Sequence, residues 1–140
     1  MNYDPTKQMT REEAFVSQQP VCVIIGSDGK PDGVLVQALG EKFIIEPKDF
    51  NDEMQWYEAI YALKASGKAT FTNKQAHLAF FLKEHINVAL SSIEGETLIG
   101  SHWVAPEYDS YLAWCIDFYS GRFVDAYKYD VRYVRAIINL

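Results

Sequence analysis

The periodicity of apolar residues changes twice along this chain, and those two changes constrain the fold more than any single motif does. From Pro20 to Pro47 the apolar residues come in short, β-branched runs separated by glycine turns. From Asp49 to Ala89 they recur at helical spacing, and beyond Leu112 they alternate again. Strands, then two helices, then strands imply an α+β fold with two helices packed on antiparallel sheets, rather than the βαβ repeat of a parallel sheet.

The first strand block is PVCVIIGSDGKPDGVLVQ (20–37), which predicts a strand, a turn and a second strand. Gly26, Asp28-Gly29 and Pro31-Asp32-Gly33 supply the turn chemistry. They do not form a phosphate loop, because no helix with Lys-Ser/Thr follows and the spacing differs from a dinucleotide fingerprint. EKFIIEP predicts a third strand that stops at Pro47. A helix is predicted over 49–67, with Asp49 or Asn51 as its cap and Asp52 and Glu53 at the positive end of its dipole. Trp56, Ile60 and Leu63 would share one face, and Gly67 would end it. A second helix is predicted from the Thr72/Gln75 capping box through Leu78, Phe81, Leu82, Ile86 and Ala89.

After a loop over 91–101, AWCIDF, RFVDAYK and RYVRAII predict three more strands, with turns at Ser120-Gly121 and Tyr129-Asp130. Alternation puts Trp114, Ile116 and Phe118 on one side of the first of these, and Cys115, Asp117 and Tyr119 on the other. Trp103, Trp114 and Phe118 are expected in the core. Arg135 is expected to be structural and to need a partner, for which Glu107 is the candidate, because mid-strand arginines are rarely buried without one. At the other end of the chain, residues 1–18 are polar and interrupted by Pro5, and a frayed tail and a short helix started by a Thr10/Glu13 capping box both fit.

Composition removes several classes of function. A chain of 140 residues and 16.0 kDa is expected to form one domain. With a formal net charge of −6 and no run of more than two basic residues, no nucleic-acid partner is expected. The first residues contain no apolar signal-peptide core, and runs such as VCVII are too short to cross a bilayer, so no secretory signal and no membrane insertion are expected. Cys22 and Cys115 read as separate, reduced, buried thiols. His77 and His85 are eight residues apart, too far for a zinc helix, and His102 has no acidic residue within three positions. The acidic run EPKDFNDE lacks the ligand spacing of a calcium loop. No metal and no cofactor are therefore expected. There is no GxSxG, and Cys115 has no histidine near it in sequence, so the chain does not read as an enzyme.

What remains is an unusual concentration of tyrosine. Tyr108, Tyr111, Tyr119, Tyr127, Tyr129 and Tyr133 account for six of the nine tyrosines. Tyrosine mixed with serine, aspartate and arginine is the composition of protein-binding surfaces, since it gives large contact area at low entropic cost beside adaptable polar groups. We read Tyr111, Tyr119 and Tyr127 as aromatic anchors, with Asp117, Arg122, Asp125 and Arg132 supplying directional polar contacts.

The order HWVAPEY, LAWCIDFYSGRF, YKYDVRYVRAI resembles the C-type-lectin-like domain of phage and bacterial proteins. Matching positions are Trp103, Glu107, Tyr108, Ala113, Trp114, Phe118, Gly121, Lys128, Val134, Arg135 and Ala136, with Trp56, Glu58 and Ala59 and the phrase HINVAL upstream. The likeness spans roughly 20–138, with departures at ATFT (69–72), VAP (104–106) and the terminal INL. It implies a C-type-lectin-like domain over 19–140, with the C-terminal strands as the display face and 1–18 as an attachment or oligomerisation segment. Some members are variable proteins of diversity-generating retroelements, including phage receptor-binding proteins, whose C-terminal strands are rewritten codon by codon. That relationship adds Asp109, Cys115 and Asp130 to the ligand-binding set.

The implied partner is a protein or glycan on a host or neighbouring cell surface, and a homo-oligomer would strengthen weak single sites through copy number. A virion component and a cytoplasmic bacterial protein both fit. Calcium-dependent sugar binding is disfavoured, because Glu-Pro-Asn, Gln-Pro-Asp and Trp-Asn-Asp are all absent. Alternatives are a structural decoration subunit and a small enzyme on the same scaffold.

Overall fold

A computed structural model describes residues 2–140. In chain order its elements are β1 (Gln8–Met9), α1 (Arg11–Ser17), β2 (Val21–Ile25), β3 (Pro31–Ala38), β4 (Glu41–Asp49), α2 (Trp56–Ala65), α3 (Asn73–Phe81), α4 (Lys83–Ser92), β5 (Ser101–Glu107), β6 (Leu112–Asp117), β7 (Phe123–Tyr127) and β8 (Arg135–Asn139). Four helices and two largely antiparallel sheets give the α+β class the sequence predicts. None of the described helices is long and apolar enough to cross a membrane.

The chain divides into two compact units, each discontinuous in sequence. The first contains everything up to Lys48, then Leu82–Leu98 and Ile138–Leu140. Its strands run in the order β1-β2-β3-β4. The pair β1/β2 is parallel, whereas β2/β3 and β3/β4 are antiparallel. The terminal residues close the far edge, where Leu140 N donates to Lys42 O at 3.1 Å. Met9, Ala14, Cys22, Ile24, Leu35 and Ile44 pack as its core, flanked by Phe15 and Ile138. Of the two readings of residues 1–18, the helix is the one observed. The Thr10 hydroxyl accepts from Glu13 N, and the Glu13 carboxylate accepts from Thr10 N, so both halves of the capping box are made.

The second unit contains Asp49–Phe81 and Ile99–Ile137. Its sheet has the order β5-β6-β7, all antiparallel. Trp103, Ala113, Cys115 and Ala126 on one side of this sheet pack with Trp56, Ala59 and Leu63 of α2 and with Val134 and Ala136. Two buried indoles anchor the packing through backbone carbonyls: Trp56 Nε1 donates to Val104 O at 3.1 Å, and Trp103 Nε1 donates to Met54 O at 2.7 Å. On the other side, Phe118 meets Phe71 edge-on at 6.0 Å and His77 of α3 stacks on Phe123 at 4.1 Å.

Several boundaries differ from the sequence expectation, each for a physical reason. β4 runs through Pro47 to Asp49, because its ladder with β3 ends at Ile45 and no β3 carbonyl needs an N–H at the proline. The helix predicted from Asp49 begins only at Trp56. Residues 50–54 are drawn into a ladder instead, with Phe50 N donating to Val134 O and Met54 exchanging hydrogen bonds with Arg132. The predicted second helix is two helices separated by Leu82, whose φ of −98° and ψ of 14° leave helical geometry. α3 packs on β5 in the second unit and α4 on β2 and β3 in the first, so the two apolar faces serve different cores.

Candidate functional site

The β6/β7 register decides where the tyrosines point. Leu112 faces Tyr127, Ala113 faces Ala126, Trp114 faces Asp125, Cys115 faces Val124 and Ile116 faces Phe123. Cross-strand partners share a face and neighbours along a strand alternate, so Leu112, Trp114, Asp125 and Tyr127 lie on one side. Ala113, Cys115 and Ala126 lie on the other, against α2. On the first side the end of the hairpin near Phe123 is covered by His77, and the opposite end is open. There Tyr108 meets Trp114 edge-on at 5.1 Å, extending the strip from the β5–β6 loop.

The ten residues expected to bind ligand do not form one patch. β6 is six residues long, so its ends are about 20 Å apart. Asp109, Tyr111, Tyr127 and Asp130 gather at the open end. Asp117, Tyr119 and Arg122 sit at the β6–β7 turn, and Asp125 lies between them on the open face. Tyr111, Tyr119 and Tyr127 are 69%, 68% and 64% exposed, as anchors must be.

The aspartates beside two of these tyrosines do local work. Asp109 Oδ1 accepts from Tyr111 N and Leu112 N, each at 2.8 Å, and Asp117 Oδ1 accepts from Tyr119 N at 2.8 Å while Oδ2 accepts from Ser120 Oγ at 3.2 Å. These are Asx turns that set the direction of Tyr111 and Tyr119. Gly121 completes the second turn at φ 78°, and a Cβ there would come within 2.5 Å of the Phe80 ring.

Cys115 is the clear departure. It is fully buried in the core, its thiol donates to Val124 O at 3.5 Å, and burial pushes its pKa up, so it presents nothing to a ligand. Arg132 is half-buried, with its guanidinium 5.9 Å from the Trp103 ring and 3.8 Å from Asp130. Trp103 and Phe118 are buried as expected. Trp114 is half-buried and belongs to the surface strip, because it alternates with the buried Ala113 and Cys115 rather than with outward residues.

Sequence reasoning missed two charged assemblies beneath the sheet. Lys128 is buried, with its ammonium 4.8 Å from the Trp56 ring and 4.8 Å from the Tyr57 ring. It donates to the Glu107 carboxylate and to the Tyr57 hydroxyl. Burial works against the charge, but the hydrogen bonds that Lys128 donates to Glu107 and Tyr57 outweigh it and hold the lysine pKa above its ordinary value. The second assembly centres on Asp49, whose Oδ1 lies 2.9 Å from both His102 Nε2 and Arg135 Nε. Burial alone would raise the Asp49 pKa, yet His102 and Arg135 more than offset that and hold it below the usual carboxylate range. The buried Arg135 therefore does have a partner, but that partner is the half-buried Asp49 and not Glu107, which is engaged by Lys128.

Both assemblies tie distant segments of the second unit together. Among the described residues no group of three or more His, Cys, Asp and Glu side chains is arranged to hold a metal ion. Compared with known protein families and with characterised proteins, the sequence finds no match.

Proposed function

We propose that this chain is a recognition protein whose C-terminal sheet presents an aromatic surface to a ligand on another cell or particle. The observation that carries the reading is the open strip of Tyr108, Leu112, Trp114 and Tyr127. In it two exposed tyrosines flank the half-buried Leu112 and Trp114, on a sheet whose opposite face is locked by α2. Aromatic residues on a rigid support are the side chains that dominate binding energy at protein interfaces. The resemblance to C-type-lectin-like domains supports the same reading, as does the way Asp109 and Asp117 fix neighbouring tyrosines by hydrogen-bonding the backbone. In this reading the ligand is a surface protein or glycan, the protein acts without catalysis or cofactor, and a phage receptor-binding or adhesion role on a virion accounts for the tyrosine-rich strands.

The test compares wild-type protein with a Trp114→Ser/Tyr127→Ser variant for binding to whole bacterial cells and to arrayed glycans. Binding that the wild type shows and the variant loses, at unchanged melting temperature, is the expected result. Equal binding by both would move the surface elsewhere. Self-association that the variant abolishes, without any cell or glycan binding, would make the strip a subunit contact of a decoration protein. Sequencing the codons for residues 108–138 across a natural population tests diversification separately. Under the retroelement reading, substitutions concentrate at exposed positions such as Asp109, Tyr119 and Asp125 and spare Trp103, Phe118 and Gly121.

A further inference from the structure

We propose that the open strip binds a basic side chain, lysine or arginine, presented by a protein partner. The proposal rests on the recognition reading above and names the chemistry of what is recognised.

The chain already shows how it holds a cation. The Lys128 ammonium lies against two aromatic rings, Trp56 and Tyr57, and is closed by one carboxylate, Glu107. On the open side of the hairpin the same set recurs. Trp114 stands directly opposite Asp125, Tyr127 lies diagonally across from Trp114, and Tyr108 meets the indole edge-on. Diagonal neighbours of this kind are about 7 Å apart, close enough for two rings to share one cationic group. A ring face attracts a cation through its quadrupole, most strongly for tryptophan, and a nearby carboxylate adds charge and a hydrogen-bond acceptor.

The charges around the strip point the same way. Asp125 is exposed and makes no hydrogen bond or ion pair among the described residues, and Asp109 lies at the open end of the same hairpin. The bases of this region are otherwise engaged or distant. Lys128 is buried against Glu107, Arg132 pairs with Asp130, and Arg122 sits at the other end of β6. A net charge of −6 favours approach of a basic surface over an acidic one. A protein cation is favoured over a choline headgroup by Asp125, since lysine and arginine carry N–H donors for its carboxylate and a quaternary ammonium carries none.

The experiment titrates isotope-labelled protein with the peptide acetyl-Gly-Arg-Gly-amide, following the Trp114 indole and the Tyr127 amide by NMR. Its citrulline and glutamate counterparts and phosphocholine serve as comparison probes. The arginine peptide is expected to shift both signals with an affinity about fivefold better than the citrulline peptide. That advantage should shrink in Asp125→Asn and as salt rises from about 50 to about 500 mM.

If the citrulline or glutamate peptide shifts the strip equally, the preference for a cation is wrong while the strip remains a recognition surface. Tighter binding of phosphocholine overturns the protein partner. If none of these probes moves the strip at about 10 mM, the proposal fails. The recognition reading falls with it only if the Trp114→Ser/Tyr127→Ser variant also keeps full cell or glycan binding.

Discussion

The Arg135 guanidinium and the Asp49 carboxylate, 86 residues apart in the chain, meet at 2.9 Å inside the second unit, and His102 reaches the same carboxylate oxygen. One acid thus joins the end of β4, the start of β5 and the last strand. Removing a single partner from a buried ionic group leaves the others desolvated without compensation. Asp49→Asn is therefore expected to lower stability by about 3 kcal/mol, measured by urea denaturation. A change below about 0.5 kcal/mol would show that the arrangement does not bear on stability.

The same carboxylate predicts a pH dependence, and the sign follows from its lowered pKa. A carboxyl whose folded pKa lies below its unfolded one binds protons more weakly in the native state. Its contribution is complete above the unfolded value, near pH 4, and is lost as pH falls through the folded value. Wild-type stability should decline below about pH 4 more steeply than that of Asp49→Asn, which lacks this titration. Parallel curves for the two proteins would assign acid unfolding to other groups.

The Lys128–Glu107 pair is asymmetric, because the lysine side chain is 1% exposed and the glutamate 55%. Losing the lysine leaves a carboxylate that water can solvate, whereas losing the glutamate leaves an ammonium buried against Trp56 and Tyr57. Glu107→Ala should depress the melting temperature more than Lys128→Met does, by differential scanning calorimetry. The reverse order would mean that the two rings and the Tyr57 hydroxyl suffice to hold the charge.

Gly121 combines a left-handed backbone with contact to Phe80. Gly121→Ala should cost about 2 kcal/mol, through strain in the turn and displacement of the ring. Because this turn carries Tyr119, amide exchange there should accelerate in the variant, while the first unit is unaffected.

Exposed tyrosines should show the opposite behaviour. Tyr111→Ser and Tyr127→Ser remove side chains that make no hydrogen bond among the described residues, so stability should change by less than about 0.5 kcal/mol each. Ligand binding, by contrast, should weaken. A large loss of stability would place these rings in folding rather than in recognition.

Features set by neighbours along the chain are legible in the sequence. The capping boxes at Thr10/Glu13 and Thr72/Gln75 form as spaced, since each needs only three residues of chain. Gly67 ends α2 with φ 69°, and Lys68 N reaches back to Leu63 O. The α+β order follows from the changes of period.

Features set by partners far away are not. Asp49 reads as a helix cap because acids commonly cap helices, yet its partners are 53 and 86 residues distant. Trp114 reads as core because it is large and apolar. Only the register with β7 and the packing of Ala113 and Cys115 on α2 turn it outward beside Asp125. Local sequence thus determined the order of strands and helices and the capped helix starts, though not every boundary, because hydrogen bonds within a few residues and apolar periodicity are local quantities. Tertiary structure alone decided which acid neutralises Arg135, which side of β6 is buried and which aromatic residues reach the surface together, because burial and pairing are properties of the whole packed unit.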